Sequence, residues 1–231
     1  MLASPPTVRR SRGMNIFLLG LGYIPAVVLG LLPIMNPLST IPLYLGLTAN
    51  MTRPDAHRQA RHACLYTFLI LVTFLFLGNG IIVLFGISMP GIRVAGGLII
   101  LVLSFRMLFF GESEASTLNL NPGEVQAANV DFSFSPLAMP SLAGPGSIAV
   151  VISYSSKIPV EHEVGGYIVV VTGIAITVAI SYVALLWSTW FAKFFGRHGL
   201  LAITKIMGFL LACIGVQFIA SGVQEFITSL A

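Results

Sequence analysis

The sequence predicts an all-α membrane protein: six transmembrane helices forming two inverted three-helix repeats, each opened by a helix that proline breaks into half-helices. Three observations predict it. Charge is scarce, apolar stretches of spanning length recur along the chain, and one proline pattern occurs twice.

The scarcity of charge sets the class. Of 231 residues, 56% are hydrophobic and 9% charged, and the mean hydropathy is +0.94. A chain this poor in charge has too little polar surface to stay dispersed in water, whereas lipid solvates apolar side chains around helices of about 20 residues. The partner this implies is the lipid bilayer. The net charge of +4 comes from basic residues in loops and at helix ends. That distribution orients a membrane protein and speaks against nucleic acid as a partner. The two cysteines, Cys64 and Cys213, fall within predicted helices, without the close spacing of a metal site or redox pair. Both read as packed thiols.

Residues 1–13 form a polar, basic tail ending Arg9-Arg10-Ser-Arg12-Gly13. The apolar run behind it is longer than a signal-peptide core and lacks a small-x-small cleavage site, so it reads as a retained helix. Met14 stands directly before that helix, which leaves either Met1 or Met14 as the start.

Six apolar segments follow, at about residues 14–48, 63–86, 92–110, 132–156, 165–188 and 201–224. Each can cross roughly 30 Å of hydrocarbon. The first is too long for one straight span. Either residues 37–48 form a re-entrant half-helix, or a tilted helix is broken in mid-membrane. Residues 49–62 read as a charged loop whose basic residues, Arg53, Arg58 and Arg61, begin the second helix. Residues 87–91 make a tight turn, and the polar, mildly acidic stretch 111–131 links a first repeat, 14–110, to a second, 132–231.

Lysine and arginine set the orientation. The loops after segments one, three and five hold Arg53, Arg58, Arg61, Arg106, Lys193, Arg197 and Lys205, against Arg93 and Lys157 on the other face, or five with the tail. The excess places the odd loops in the cytoplasm and both termini in the periplasm of a plasma membrane.

The repeat rests on two matches. Pro33-Ile-Met-Asn36-Pro37-Leu-Ser39-Thr40-Ile-Pro42 and Pro136-Leu-Ala-Met-Pro140-Ser141-Leu-Ala-Gly144-Pro145 place prolines at the same spacing, 103 positions apart. Arg93-Val-Ala-Gly96 resembles Lys205-Ile-Met-Gly208 at an offset of 112. Three helices per unit force the second copy to insert upside down, the arrangement of transporters whose sites lie where discontinuous helices meet.

The breaks carry the candidate site. Asn36 before Pro37 reads as an N-cap followed by proline at the first helical position, with Ser39 and Thr40 in the first turn. Gly144-Pro145-Gly146-Ser147 does the same with glycines that let another group approach the backbone. Each break leaves N–H groups at a half-helix N-terminus, and two such ends attract an anion or carboxylate. The expected substrate-binding residues are therefore Asn36, Pro37, Ser39, Thr40, Pro42, Pro140, Ser141, Gly144, Pro145, Gly146 and Ser147, with Asn79 and Gln217 as further cavity-facing amides. Arg106, near a helix end, reads as snorkelling to the interface.

Other chemistry is missing from the sequence. Asp131 precedes segment four and Glu225 follows the core of segment six, so no carboxylate relay crosses the spans. His57, His62, His162 and His198 sit at loop positions without metal-ligand spacing, and no hydrolase, protease or phosphate-loop motif occurs. The chain reads as a non-enzyme without cofactor or metal.

Four stretches are similar to the MarC family of bacterial inner-membrane proteins. They are Asn36-Pro37 with Pro42 and Leu47-Thr48; Phe85-Gly-Ile-Ser-Met-Pro-Gly-Ile-Arg93-Val-Ala-Gly-Gly97; Pro136 to Gly146; and Met207-Gly-Phe-Leu-Leu with Gly215-Val-Gln-Phe218. The resemblance runs from Met14 onward, with the basic tail as a departure. It implies six helices, periplasmic termini and kinship with LysE-type exporters of amino acids and other small solutes, but no substrate.

The expectation is a secondary carrier or exporter of a small anionic or zwitterionic solute, working by alternating access and compatible with a homo-oligomer. Its rival is a membrane scaffold or assembly protein whose prolines only shape helices.

Overall fold

The computed structural model describes residues 22–110, 131–158 and 163–230. The basic tail, residues 111–130 of the linker and His162 lie outside the described residues. Within them the chain is helical: α1 (Gly22–Met35), α2 (Pro37–Leu47), α3 (Arg53–Phe85), α4 (Met89–Phe105) with a wide-turned extension over Arg106–Phe110, α5 (Ser133–Leu142), α6 (Pro145–Ser155), α7 (Glu163–Leu186) and α8 (Ser188–Leu230).

Four of these, α3, α4, α7 and α8, contain stretches long and apolar enough to cross a membrane alone. The other four form two bent pairs, α1 with α2 at 44° and α5 with α6 at 62°. A hairpin returning to its starting face must turn through more than a right angle. Counting each bent pair as one broken span brings the candidate spans from four to six. Each half thus has the same order, a bent pair followed by two long helices.

Local chemistry sets the boundaries. Thr52 caps α3, its hydroxyl accepting from the Asp55 N–H at 3.4 Å, with Pro54 in the first turn. The helix starts at Arg53, so the basic residues do begin it as expected, while the loop read over residues 49–62 shortens to residues 48–52. Gly86 ends α3 in the left-handed conformation (φ 62°) that glycine adopts without steric cost. Ser88 caps α4 ahead of Pro90, its hydroxyl accepting from the Gly91 N–H at 3.3 Å. A second correction concerns the stretch after residue 188, expected as a loop. Here α8 begins at Ser188 and breaks at Gly196 (φ 60°, ψ −177°), ahead of its long membrane stretch His198–Ser229. The segment before the break stacks Trp190 on Phe194.

The interior holds Leu31, Leu71, Leu75, Ile100, Leu137, Leu142, Ile174, Leu185 and Leu211, all fully buried. The outside is also apolar, with Leu29, Leu77, Phe105, Ile168 and Phe209 exposed, the surface that lipid covers. Buried hydroxyls on spanning helices donate back to carbonyls one turn earlier, Thr67 to Ala63, Thr177 to Gly173 and Ser181 to Thr177. No water is available there to do so. Cys64 is buried as expected, whereas Cys213 is exposed on α8.

Lipid tails are as apolar as leucine, so helices associate in a bilayer chiefly through close packing at small residues. The longest contact, α4 on α8, follows this rule. A Cβ on Gly97 would lie 2.7 Å from the Gly215 carbonyl oxygen, one on Gly215 3.0 Å from the Gly97 carbonyl, one on Gly208 3.2 Å from that of Ser104, and one on Gly222 2.9 Å from that of Pro90. Positions rise along α4 as they fall along α8, so the two helices are antiparallel. One end of this seam carries the ion pair of Arg93 and Glu225. In addition α3 packs on α5, α6 and α7, α2 on α7 and α8, and α4 on α6.

Candidate functional site

The first break is a backbone event at one residue. The Asn36 N–H still donates to the Leu32 carbonyl at 2.9 Å, completing α1. Asn36 then turns left-handed (φ 40°, ψ 63°), the one non-glycine positive φ among the described residues. Asparagine tolerates this region better than most side chains. The ring of Pro37 disfavours a right-handed helical residue before it, and its missing N–H costs nothing where α2 restarts.

Asn36 stands at the N-cap position with Pro37 opening α2, as expected, but its side chain makes no capping bond. Its Nδ2 donates instead to the Met107 sulfur at 3.4 Å. The first turn of α2 is held by the Asn36 carbonyl, which accepts from the Ser39 N–H at 3.1 Å, the Ser39 hydroxyl at 3.0 Å and the Thr40 hydroxyl at 3.4 Å.

The second break is longer. Through α5 the backbone becomes extended at Ser135 and Met139, each followed by a cis proline, Pro136 and Pro140. Gly144 is extended (φ −75°, ψ 170°) and Pro145 opens α6. A Cβ on Gly144 would lie 2.8 Å from the Pro140 carbonyl oxygen, and one on Gly146 would lie 3.0 Å from Ile100 and 3.3 Å from Ile34. The missing side chain at Gly146 thus lets α1, α4 and α6 converge. The Ser147 hydroxyl donates to the Leu142 carbonyl at 3.2 Å.

The two breaks line one cavity of about 340 Å³. The first contributes Ile34, Met35, Asn36, Ser39 and Leu43; the second contributes Pro136, Pro140, Ser141, Gly144, Pro145, Gly146 and Ser147. A third wall comes from α4, whose Ile99, Val102, Leu103, Arg106 and Met107 fall on one face by helical spacing. Among the expected residues, Pro37 and Thr40 are buried outside the lining and Pro42 is exposed. Gln217 is exposed on α8, away from the cavity. The side chain of Asn79 lies outside the described ones.

Sequence reasoning missed Arg106 as a lining residue. It is exposed yet faces the cavity, which places it at the mouth rather than merely snorkelling. It also begins the π-helical turn Arg106–Phe110, an irregularity frequent at functional sites. Among the described residues no other ionisable side chain lines the cavity. The N-termini of α2 and α6 there add partial positive charge, roughly half a unit each in the idealised dipole.

Near the start of α5, Asp131 accepts from the Ser133 hydroxyl at 2.5 Å and the Ser133 N–H at 2.9 Å. These bonds hold its carboxyl below the usual carboxylate range, with His62 and Arg58 on α3 adding to the effect. Tyr66 and Phe134 meet edge to face beside this contact, their ring centroids 5.7 Å apart. Among the described residues no group of three His, Cys, Asp or Glu side chains could hold a metal ion.

The profile of a family described as MarC family integral membrane protein matches residues 21–227. The inner membrane protein MarC of Citrobacter koseri is 39% identical over 219 residues, covering 90% of this chain and 95% of the relative. Its namesakes in Salmonella typhimurium and Escherichia coli are 39% and 37% identical over the same coverage. No solved structure matches the chain.

Proposed function

Because the chain belongs to the MarC family of integral membrane proteins, we propose that it is a secondary carrier of the bacterial inner membrane. It moves a small anionic or zwitterionic solute, unchanged, by alternating access between two inverted three-helix halves. The observation that carries this reading is the meeting of both proline breaks at one cavity with a cationic mouth. Irregular backbone at membrane depth is tolerated where it lines such a cavity, and discontinuous helices form the midplane sites of carriers.

The helix contacts support the inverted halves. Exchanging α2, α3 and α4 with α6, α7 and α8 turns the α2–α7 contact into α6–α3 and α2–α8 into α6–α4, and all four occur. The contacts α3–α7 and α4–α8 map onto themselves, and α4 and α8 are antiparallel, as a two-fold axis in the membrane plane requires. Charge supports the orientation. Asp131 lies with His62 and Arg58 at one end of the bundle, and Arg93 pairs with Glu225 at the ends of α4 and α8. With odd loops cytoplasmic and both termini periplasmic, the first group faces the cytoplasm and the second the periplasm.

The test is counterflow of labelled amino acids and organic anions into liposomes holding the purified protein. Saturable exchange above empty liposomes is expected. Rates equal to empty liposomes across the panel would leave the scaffold reading standing. Asn36→Ala and Gly144→Leu variants that keep full flux at normal expression would take the cavity out of the pathway.

A further inference from the structure

We propose that Arg106 selects the solute by its acid group, and that the solute is an amphipathic organic monoanion: one carboxylate on a compact apolar body. This rests on the reading of the cavity as the solute site and narrows it.

Among the described residues the lining is electrostatically one-sided: Arg106 is its ionisable side chain, and no described carboxylate lines it. A guanidinium presents a planar fork that matches a carboxylate with two parallel hydrogen bonds. A zwitterion would bring an ammonium into a space holding that guanidinium and two helix N-termini, with no carboxylate among the described lining residues to receive it. An organic cation fares worse for the same reason.

The apolar body follows from what lies between the mouth and the breaks. Gly146 meets α4 at Ile100, and six residues separate Ile100 from Arg106, about 9 Å along the helix. Over that distance α4 lines the cavity with Val102 and Leu103, and the same lining includes Leu43, Pro136 and Pro140. The hydroxyl protons of Ser39 and Ser147 are already given to backbone carbonyls, so neither is a ready donor to a second acid group. The volume of about 340 Å³ sits at the small end of the roughly 300–1,000 Å³ of ligand pockets, which fits a solute of amino-acid size rather than a drug.

The experiment is a binding titration on the full-length protein in nanodiscs, with empty nanodiscs as blank. The probes are hydrocinnamate, its neutral isostere hydrocinnamamide, phenylpropylamine and phenylalanine. Wild-type protein is expected to bind hydrocinnamate saturably and to prefer it over each other probe by about tenfold or more, the scale of one charge-assisted hydrogen bond. Arg106→Gln is expected to abolish the preference over the amide, and Arg106→Lys to restore part of it. No saturable hydrocinnamate binding by wild type, equal binding of the amide, or unchanged binding by Arg106→Gln would overturn the proposal. Because the amide comparison uses wild-type protein, it stands even if a variant misfolds. Arg106-dependent binding without counterflow in liposomes would reject the carrier reading and keep the site. Counterflow of a zwitterion untouched by Arg106→Gln would do the reverse.

Discussion

The side-chain amide of Asn36 and the sulfur of Met107 meet at 3.4 Å across 71 residues of chain, which fastens the first break to the wide-turned end of α4 beside Arg106. The fastening depends on the left-handed backbone at Asn36. Asn36→Gly keeps that conformation open and is expected to leave unfolding in mixed micelles within about 1 kcal/mol of wild type. Asn36→Val is β-branched where φ is positive and is expected to lose about 1–3 kcal/mol. Equal stability of the Val variant and wild type would show that the break does not need this geometry.

Gly144 gives a parallel expectation at the second break. Its Cβ would meet a backbone oxygen at 2.8 Å, which cannot swing aside as a side-chain tip could. Gly144→Ala should therefore destabilise by about 1–3 kcal/mol, the usual range for overpacking. Gly46, with open space around its would-be Cβ, serves as the control: Gly46→Ala should be neutral or mildly stabilising in the same unfolding assay.

The glycine seam predicts coupling. Gly97→Ala and Gly215→Ala each force one backbone away from the other, and each should cost about 1–3 kcal/mol. Once the helices have separated for the first methyl, the second meets less resistance. The double variant should thus lose less than the sum, by at least about 0.5 kcal/mol in a double-mutant cycle. Strict additivity would mean that the two glycines do not share one contact.

Arg93 and Glu225 predict a different non-additivity. The Arg93 side chain is 14% exposed and that of Glu225 41%, and the Arg93 Nε is buried without a partner among the described residues. Removing the carboxylate with Glu225→Leu leaves the guanidinium poorly compensated. After discounting for the exposure of Glu225, a loss of about 1 kcal/mol or less is expected. Adding Arg93→Leu should recover part of it, because the uncompensated charge is then gone. Melting temperatures of the two singles and the double decide the matter.

Asp131 sets an acid-side dependence. Its folded pKa is depressed by the Ser133 hydrogen bonds, so its contribution is fully present above the unfolded carboxylate pKa and fades as pH falls through the lower, folded value. Melting profiles of wild type and Asp131→Asn should converge toward the acid end and separate above the carboxylate range. A constant gap across the whole pH range would contradict this.

Much of the fold was legible because its signals are local. Matched prolines give the two breaks, since proline removes a donor and restricts its predecessor wherever it stands, and run length gives the spans. The site was only partly legible. Asn36 before Pro37 marks the N-cap position correctly, but that its side chain leaves α2 uncapped and meets the Met107 sulfur involves a partner 71 residues away. Arg106 looked like any arginine near a helix end. Its place at the mouth depends on which face of α4 meets the breaks, which glycines 96, 97 and 146 settle through packing on other helices. Gln217 erred the other way: an amide in a greasy helix marks polarity but not direction, and this one points out.

The seam between α4 and α8 bears on how such a molecule could move. Side chains between helices act as bearings that let surfaces slide by small rotamer changes, and here glycine has removed them. Two antiparallel backbones in direct contact at three levels leave little room for such sliding. The bends in the bundle lie elsewhere, at Asn36 between α1 and α2 and at Gly144 between α5 and α6. For the carrier proposed above, alternating access is then expected to bend each inverted half at its own break, with the seam between the halves kept closed.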